Sequence, residues 1–211
     1  MSVINTLIDV ILHVDKYLGI IVNQFGILTY LVLFVVVFCE TGLVFTPFLP
    51  GDSLLFISGT FAANKILNIY TLFIIFALAC IIGDSVNYWI GSFFGEKVFL
   101  KIKFFRKDYL EKTKDFYKKH GGKTIILARF VPIVRTFAPF VAGIGKMDYK
   151  RFLLFNVFGG ILWVLVFLFG GFFFGKIPFV EKNLTLITYF IIVISVLPVF
   201  FEIIRAKMRK K

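Results

Sequence analysis

The chain of 211 residues is 59% hydrophobic, with a net charge of +12 and a mean hydropathy of +0.93, which excludes an ordinary soluble domain. Its basic excess is local: residues 97–123 hold ten Lys/Arg against three acids, and residues 202–211 hold five against one. Charge that flanks apolar runs, with no nucleic-acid-binding motif beside it, marks cytoplasmic edges of membrane spans and excludes a nucleic-acid surface.

From the start of the chain, residues 3–18 read as an amphipathic helix, with Ile4, Leu7, Ile8, Ile11, Val14 and Leu18 on one face and Asn5, Asp9, His13 and Lys16 on the other. His13 belongs to the polar face and is expected to be solvated. The first charges are acidic, so no cleaved signal peptide is expected. Tyr17 to Cys39 is uncharged and long enough for a first span. It leads into CETGLVFTPFLPGDSLLFISG, from Cys39 to Gly59, which is apolar yet carries Glu40 and Asp52 and is broken by Pro47, Pro50 and Gly51. After a polar turn at 64–68, a second span is expected from Tyr70 to Phe94, interrupted at Gly83-Asp84-Ser85, with Gly91 and Gly95 spaced for close helix approach.

Residues 97–123 read as a basic cytoplasmic amphipathic helix ended by Gly121-Gly122, with His120 as a C-terminal cation. A second broken segment follows, ARFVPIVRTFAPFVAGIG from Ala128 to Gly145, with its breaks expected at Pro132, Pro139 and Gly143. A charged turn at 146–151 precedes a span from Phe152 to Gly175. Residues 176–183 read as a turn, and a last span from Leu184 to Phe201 precedes the basic tail.

With the tail in the cytoplasm, the charge rule makes 40–63 and 124–145 two re-entrant hairpins from opposite faces and puts the N-terminus in the cytoplasm. The alternative joins Thr29–Phe45 directly to the first arm and moves the N-terminus. The match of Phe45-x-Pro47…Gly59 to Phe130-x-Pro132…Gly143 reads as a weak inverted repeat. The expected fold is an all-α polytopic membrane protein: about four full transmembrane helices, two oppositely oriented re-entrant helical hairpins, and amphipathic interfacial helices. Residues 1–24 hold the N-terminal helix and the start of the first span, 25–175 the membrane core, and 176–211 the last helix and tail.

Five charged residues lie inside the apolar stretches: Glu40, Asp52, Asp84, Arg129 and Arg135. Each costs about 2.5–3.5 kcal/mol at the bilayer centre on insertion scales, so pairing or function must retain them. Mutual pairing that fixes helix packing is one reading, and Asp52 also suits a helix cap. The functional reading gives Arg129 and Arg135 a phosphate, through bidentate bonds that lysine would not reproduce. Glu40, Asp52 and Asp84 are then the proton-coupling acids, because a neutralised carboxylate frees an arginine for the anion. No metal spacing, cofactor motif or Ser–His arrangement occurs, and Cys39 and Cys80 sit in apolar runs, so no catalytic residue, metal or cofactor is expected and the chain is not read as an enzyme.

Together these motifs resemble the DedA family of bacterial inner-membrane proteins, related to the eukaryotic VTT-domain lipid scramblases. The resemblance rests on Glu40 ahead of Pro50-Gly51-Asp52, on Gly83-Asp84 with Tyr88 and Gly91, and on Arg129-Phe-x-Pro132-x-x-Arg135-x-x-x-Pro139-x-x-Ala142-Gly143, and it covers about residues 25–175. It implies essential roles for Glu40, Asp52, Arg129 and Arg135. It also implies proton-motive-force-dependent transport, envelope integrity and translocation of undecaprenyl phosphate. Ser92 stands where many members carry arginine. The expected function is a flippase for a phosphate-bearing lipid carrier, undecaprenyl phosphate or phospholipid, in the inner membrane, with protons as the coupling ion. The alternatives are a proton-coupled cation or drug antiporter and a non-transport envelope-integrity factor. Membrane lipids are the expected partners, nucleic acid is not one, and a homo-oligomer is left open.

Overall fold

The computed structural model describes residues 9, 13–43, 51–99, 121–184, 186, 187 and 189–191. All the secondary structure among them is helical, as apolar segments without internal β-ladder partners require in lipid. Three helical runs are long and apolar enough to cross a membrane: Val14–Gly42, Ile69–Phe94 and Tyr149–Phe174. Most of the expected fourth span, the basic segment 100–120 and the tail lie outside the described residues, as do Pro47 and Pro50.

The N-terminal boundary differs from the expectation of a helix over 3–18 followed by a separate span. Helix α1 (Val14–Phe25) passes through one 3₁₀ turn (Gly26–Leu28) into α2 (Thr29–Gly42). Between Lys16 and Thr29 the α-helix is interrupted only at Gly26, whose φ of 51° is a backbone that other residues resist. Glu40 is therefore carried by the last turn of α2 rather than by a hairpin.

The described chain forms two compact units, one of residues 1–36, 48–76 and 164–211, the other of 37–47 and 77–163. In the first, α3 (Gly51–Ala63) packs on the end of the third apolar run, a π-helical turn (Leu165–Phe169) followed by Gly170–Phe174. The contact is backbone to backbone. A Cβ on Gly59 would lie 2.0 Å from the Leu168 carbonyl oxygen, and one on Gly171 would lie 1.8 Å from that of Phe56. Thr60 Oγ1 donates across the same crossing to Gly171 O at 3.4 Å. Lys65, at φ 61°, ends α3, with Lys65 N–H donating to Ala62 O and Ile66 N–H to Phe61 O, both at 3.0 Å. Asn68 Oδ1 then accepts from the Tyr70 and Thr71 amides and starts α4 (Ile69–Phe99).

The second unit repeats this pattern. Helix α5 (Lys123–Ala128) stops, residues 129–131 leave the helix, and α6 (Pro132–Ile144) begins with proline at its first turn. Val131 is extended at φ −122°, ψ 105°, as the residue before a proline prefers. Helix α6 packs on α4, where a Cβ on Gly143 would lie 2.0 Å from Tyr88 O and one on Gly91 would lie 2.1 Å from Phe140 O. Lys146, at φ 50°, ends α6 with the same two bonds, Lys146 N–H to Gly143 O and Met147 N–H to Ala142 O, both at 3.0 Å. Asp148 Oδ1 accepts from the Arg151 amide at 2.9 Å at the start of α7 (Tyr149–Val164).

Phe56 and Gly59 thus do in one unit what Phe140 and Gly143 do in the other, and Gly171 matches Gly91. Helices α3 and α6 are each 13 residues long, about 20 Å at about 1.5 Å per residue, short of a hydrocarbon core of about 30 Å.

Three expected interruptions are absent. Helix α4 runs straight through Gly83-Asp84-Ser85, because Gly83 serves a close contact: a Cβ there would lie 2.1 Å from Thr41 Oγ1. Helix α6 continues through Pro139 and Gly143. Pro139 withholds only the one N–H that would bond the Arg135 carbonyl, and Gly143 is the contact just described. Residues 176–183, expected as a turn, contain a five-residue helix, α8 (Pro178–Lys182).

Candidate functional site

Four ionisable side chains, Glu40, Asp84, Arg129 and Arg135, lie in the unit of residues 37–47 and 77–163. Helix α4 presents Asp84 and Asn87, three residues apart and so on one face. Arg129 stands where α5 ends, its amide held by Ile126 O at 3.3 Å. Its guanidinium forms an ion pair with Asp84 and also donates to Asn156 Oδ1 on α7. Asn156 in turn donates from Nδ2 to Ile81 O at 3.0 Å. Gly159 of α7 makes room for the arginine, since a Cβ there would lie 3.2 Å from Arg129 Nε, and Gly160 makes room for Cys80, whose Sγ would lie 2.9 Å from a Cβ.

Arg135, in the first turns of α6, pairs with Glu40 of α2 and lies over the Trp163 ring at 5.3 Å from its centroid, within cation–π range. Glu40 is fully buried, and the Arg129 and Arg135 side chains are 5% and 10% exposed. Thr41, Asp84, Arg129, Arg135 and Trp163 line one cavity with room for about one water molecule. Asp84 faces the two arginines within it, and Glu40 pairs with Arg135, so each buried cation has a counter-ion, as burial demands. Arg129 Nε–H faces no acceptor.

Arg129 and Arg135 are thus brought to one cavity by the break at 129–131, with Glu40 and Asp84 as their counter-ions. Asp52 belongs to the other unit, half-buried in the first turn of α3. His13, expected to be solvated, is partly exposed and lies beside the exposed Asp9, four residues before it, Nδ1 to Oδ1 at 3.0 Å. The Tyr17 hydroxyl donates to Asp9 Oδ2 at 2.6 Å and, with His13, holds that carboxyl below the usual carboxylate range. Sequence reasoning did not assign Asn87, Asn156, Thr41 or Trp163 to the site. The available signal was two asparagines inside apolar runs, where an unsatisfied amide is expensive.

The VTT domain profile matches residues 49–173, which include α3, α6 and both arginines. Protein DedA of Escherichia coli K12 is 56% identical over 211 residues, 98% of this chain and 96% of the relative. The chain belongs to the DedA family. Other relatives are less similar. An uncharacterized membrane protein of Mycobacterium leprae is 43% identical over 78% of this chain and 74% of its own. The inner membrane protein YqjA of E. coli K12 is 33% identical over 71% and 69%. No solved structure matches. Within this DedA-family chain, the family domain leaves Glu40 just outside its matched span, although Glu40 is the counter-ion of Arg135.

Proposed function

We propose that this DedA-family protein is a membrane transporter that moves a phosphate-bearing lipid carrier, undecaprenyl phosphate or a phospholipid, across the inner membrane with protons as the coupling ion. The observation that carries the reading is the pair of guanidiniums at one cavity, each opposed by a carboxylate. Protonation of Glu40 would remove the counter-charge of Arg135 and leave its planar fork for phosphate oxygens. The unmatched Arg129 Nε–H is a second donor for the same anion. With space for about one water, the cavity takes a headgroup only as the carboxylates give way, so loading and proton uptake are one event. Asp52 is read as a further proton-carrying acid, and no catalytic residue, metal or cofactor is involved.

The accompanying topology is two re-entrant hairpins from opposite faces, built on α3 and α6, with the basic segment and the tail in the cytoplasm. Its support is the shortness of both helices, their matched crossings and the distribution of positive charge. The inner membrane is the location that YqjA's name gives for that relative.

The test is translocation of a labelled polyprenyl phosphate between leaflets of liposomes holding the purified protein, with and without a pH gradient. Transfer is expected to accelerate with the protein, to respond to the gradient and to fall about ten-fold or more in Arg135→Ala, the scale on which charge-assisted bonds act. Equal rates for the parent and Arg135→Ala would remove that arginine from the mechanism.

A further inference from the structure

Two asparagines in the unit that holds the cavity are fully buried, Asn87 and Asn156, and neither is explained by packing. Asn87 donates from Nδ2 to Thr41 O at 3.1 Å and to Thr136 O at 2.9 Å. Both partners are carbonyl oxygens, so the amide orientation is fixed: the nitrogen must face them. Thr41 directly follows Glu40, and Thr136 directly follows Arg135. The Thr41 carbonyl lies in the last turn of α2, where helix carbonyls lack internal donors. Asn87 Oδ1, facing the other way, is buried with no hydrogen-bond partner. A leucine, which shares the branched shape, has no polar atom to desolvate there, so the amide is retained for its two hydrogen bonds. Asn156 plays the complementary part, taking Arg129 on Oδ1 while Nδ2 anchors it to Ile81 O of α4.

We propose that Asn87 and Asn156 are positioning residues that divide the two arginines between them. Asn87 bridges the backbone beside Glu40 and beside Arg135 and so sets the spacing of that ion pair, while Asn156 holds the Arg129 guanidinium on Asp84. The consequence for the site rests on the transport reading: Arg135 is delivered to the cavity at a distance fixed by an uncharged crossbar, which persists when Glu40 is neutralised. The positioning itself does not depend on that reading.

The chain supplies its own reporter. It has two tryptophans, and Trp163 lies under Arg135, whereas Trp89 packs against Tyr149. In full-length Trp89→Phe protein in nanodiscs, emission therefore comes from Trp163 alone. Arg135→Leu in that background defines the signal of a ring without its guanidinium. Asn87→Leu is expected to move the emission at least half-way to that value, and Asn156→Leu to leave it near the parent. A folded Asn87→Leu chain with parental emission, or an equal change in Asn156→Leu, would overturn the division of roles. Asn87→Asp keeps the shape without the two N–H donors and carries the test if the leucine chain does not fold. If neither folds, the amide is structural only and the proposal fails. In the liposome assay, Asn87→Leu is expected to lower lipid transfer about ten-fold or more, as loss of a supporting residue does elsewhere. A parent protein that moves no lipid would remove the transport reading while the emission result stands.

Discussion

Asp84 and Arg129 show what a buried ion pair does for a protein and what it does not. Each ion loses several kcal/mol of hydration on burial, and their mutual attraction returns most of it only if the remaining hydrogen bonds are made. Asn156 supplies one of those bonds. The pair is therefore expected to be strongly coupled yet to contribute little net stability. Asp84→Leu and Arg129→Leu should each destabilise by about 3–5 kcal/mol, because each leaves an uncompensated buried charge, and the double substitution should cost far less than their sum. Chemical denaturation of the three variants and the parent in one detergent measures this, and simple additivity would mean the pair is not coupled. The charges of this site were legible in the sequence because an ionised side chain in an apolar run is too costly to be incidental. Asn87 and Trp163 were not. The partners of Asn87 are backbone carbonyls 46 and 49 positions away, and main-chain atoms carry no sequence signature. Trp163 looks like any other apolar ring until Arg135 is placed over it.

The helix crossings turn on glycines, and here one residue type carried two meanings. Gly59 and Gly143 were visible as counterparts in the sequence, and they make the same contact in the two units. Gly83, read as an interruption of α4, is another close-contact glycine, since a missing side chain signals a break and a tight crossing equally well. Pro139 misled for a related reason: a proline costs a helix one donor, and α6 is held from outside by its crossing with α4. The contact geometry makes the distinction measurable within a few residues of α6. A methyl on Gly143 meets Tyr88 O at 2.0 Å and Ser92 N at 2.7 Å, both backbone atoms that cannot rotate away. Gly145, exposed at the end of the helix, meets nothing closer than Val141 O at 3.3 Å. Gly143→Ala should thus lower stability by about 1–3 kcal/mol or more, as overpacking does, and Gly145→Ala should stay within about 0.5 kcal/mol. Thermal unfolding of the two variants in nanodiscs separates them, and equal shifts would mean that α6 does not depend on its crossing with α4.

At the scale of the whole molecule, the repeated pattern raises the question of sidedness. Charge bears on it. Ten Lys/Arg over 97–123 favour the cytoplasm for the end of the Ile69–Phe94 span, which in the proposed topology puts its start, and the turn at 64–68, outside. The turn at 145–148 precedes the Tyr149–Phe174 span and is followed by Lys150 and Arg151, which favours the cytoplasm for its start. Under the proposed topology the two matched turns open to opposite faces, as an inverted repeat requires. Each turn offers one well-defined probe position, for Lys65 and Lys146 are both exposed and both sit at positive φ. Cysteine also carries a Cβ, so replacing either lysine adds no backbone strain to what is already there. In whole cells making a chain with Cys39 and Cys80 replaced by serine, Lys65→Cys should react with a membrane-impermeant maleimide added outside, and Lys146→Cys only after the inner membrane is opened. Labelling of both from the same side would rule out the inverted arrangement, since two matched hairpins that open to one face cannot give the site access to the two leaflets in turn.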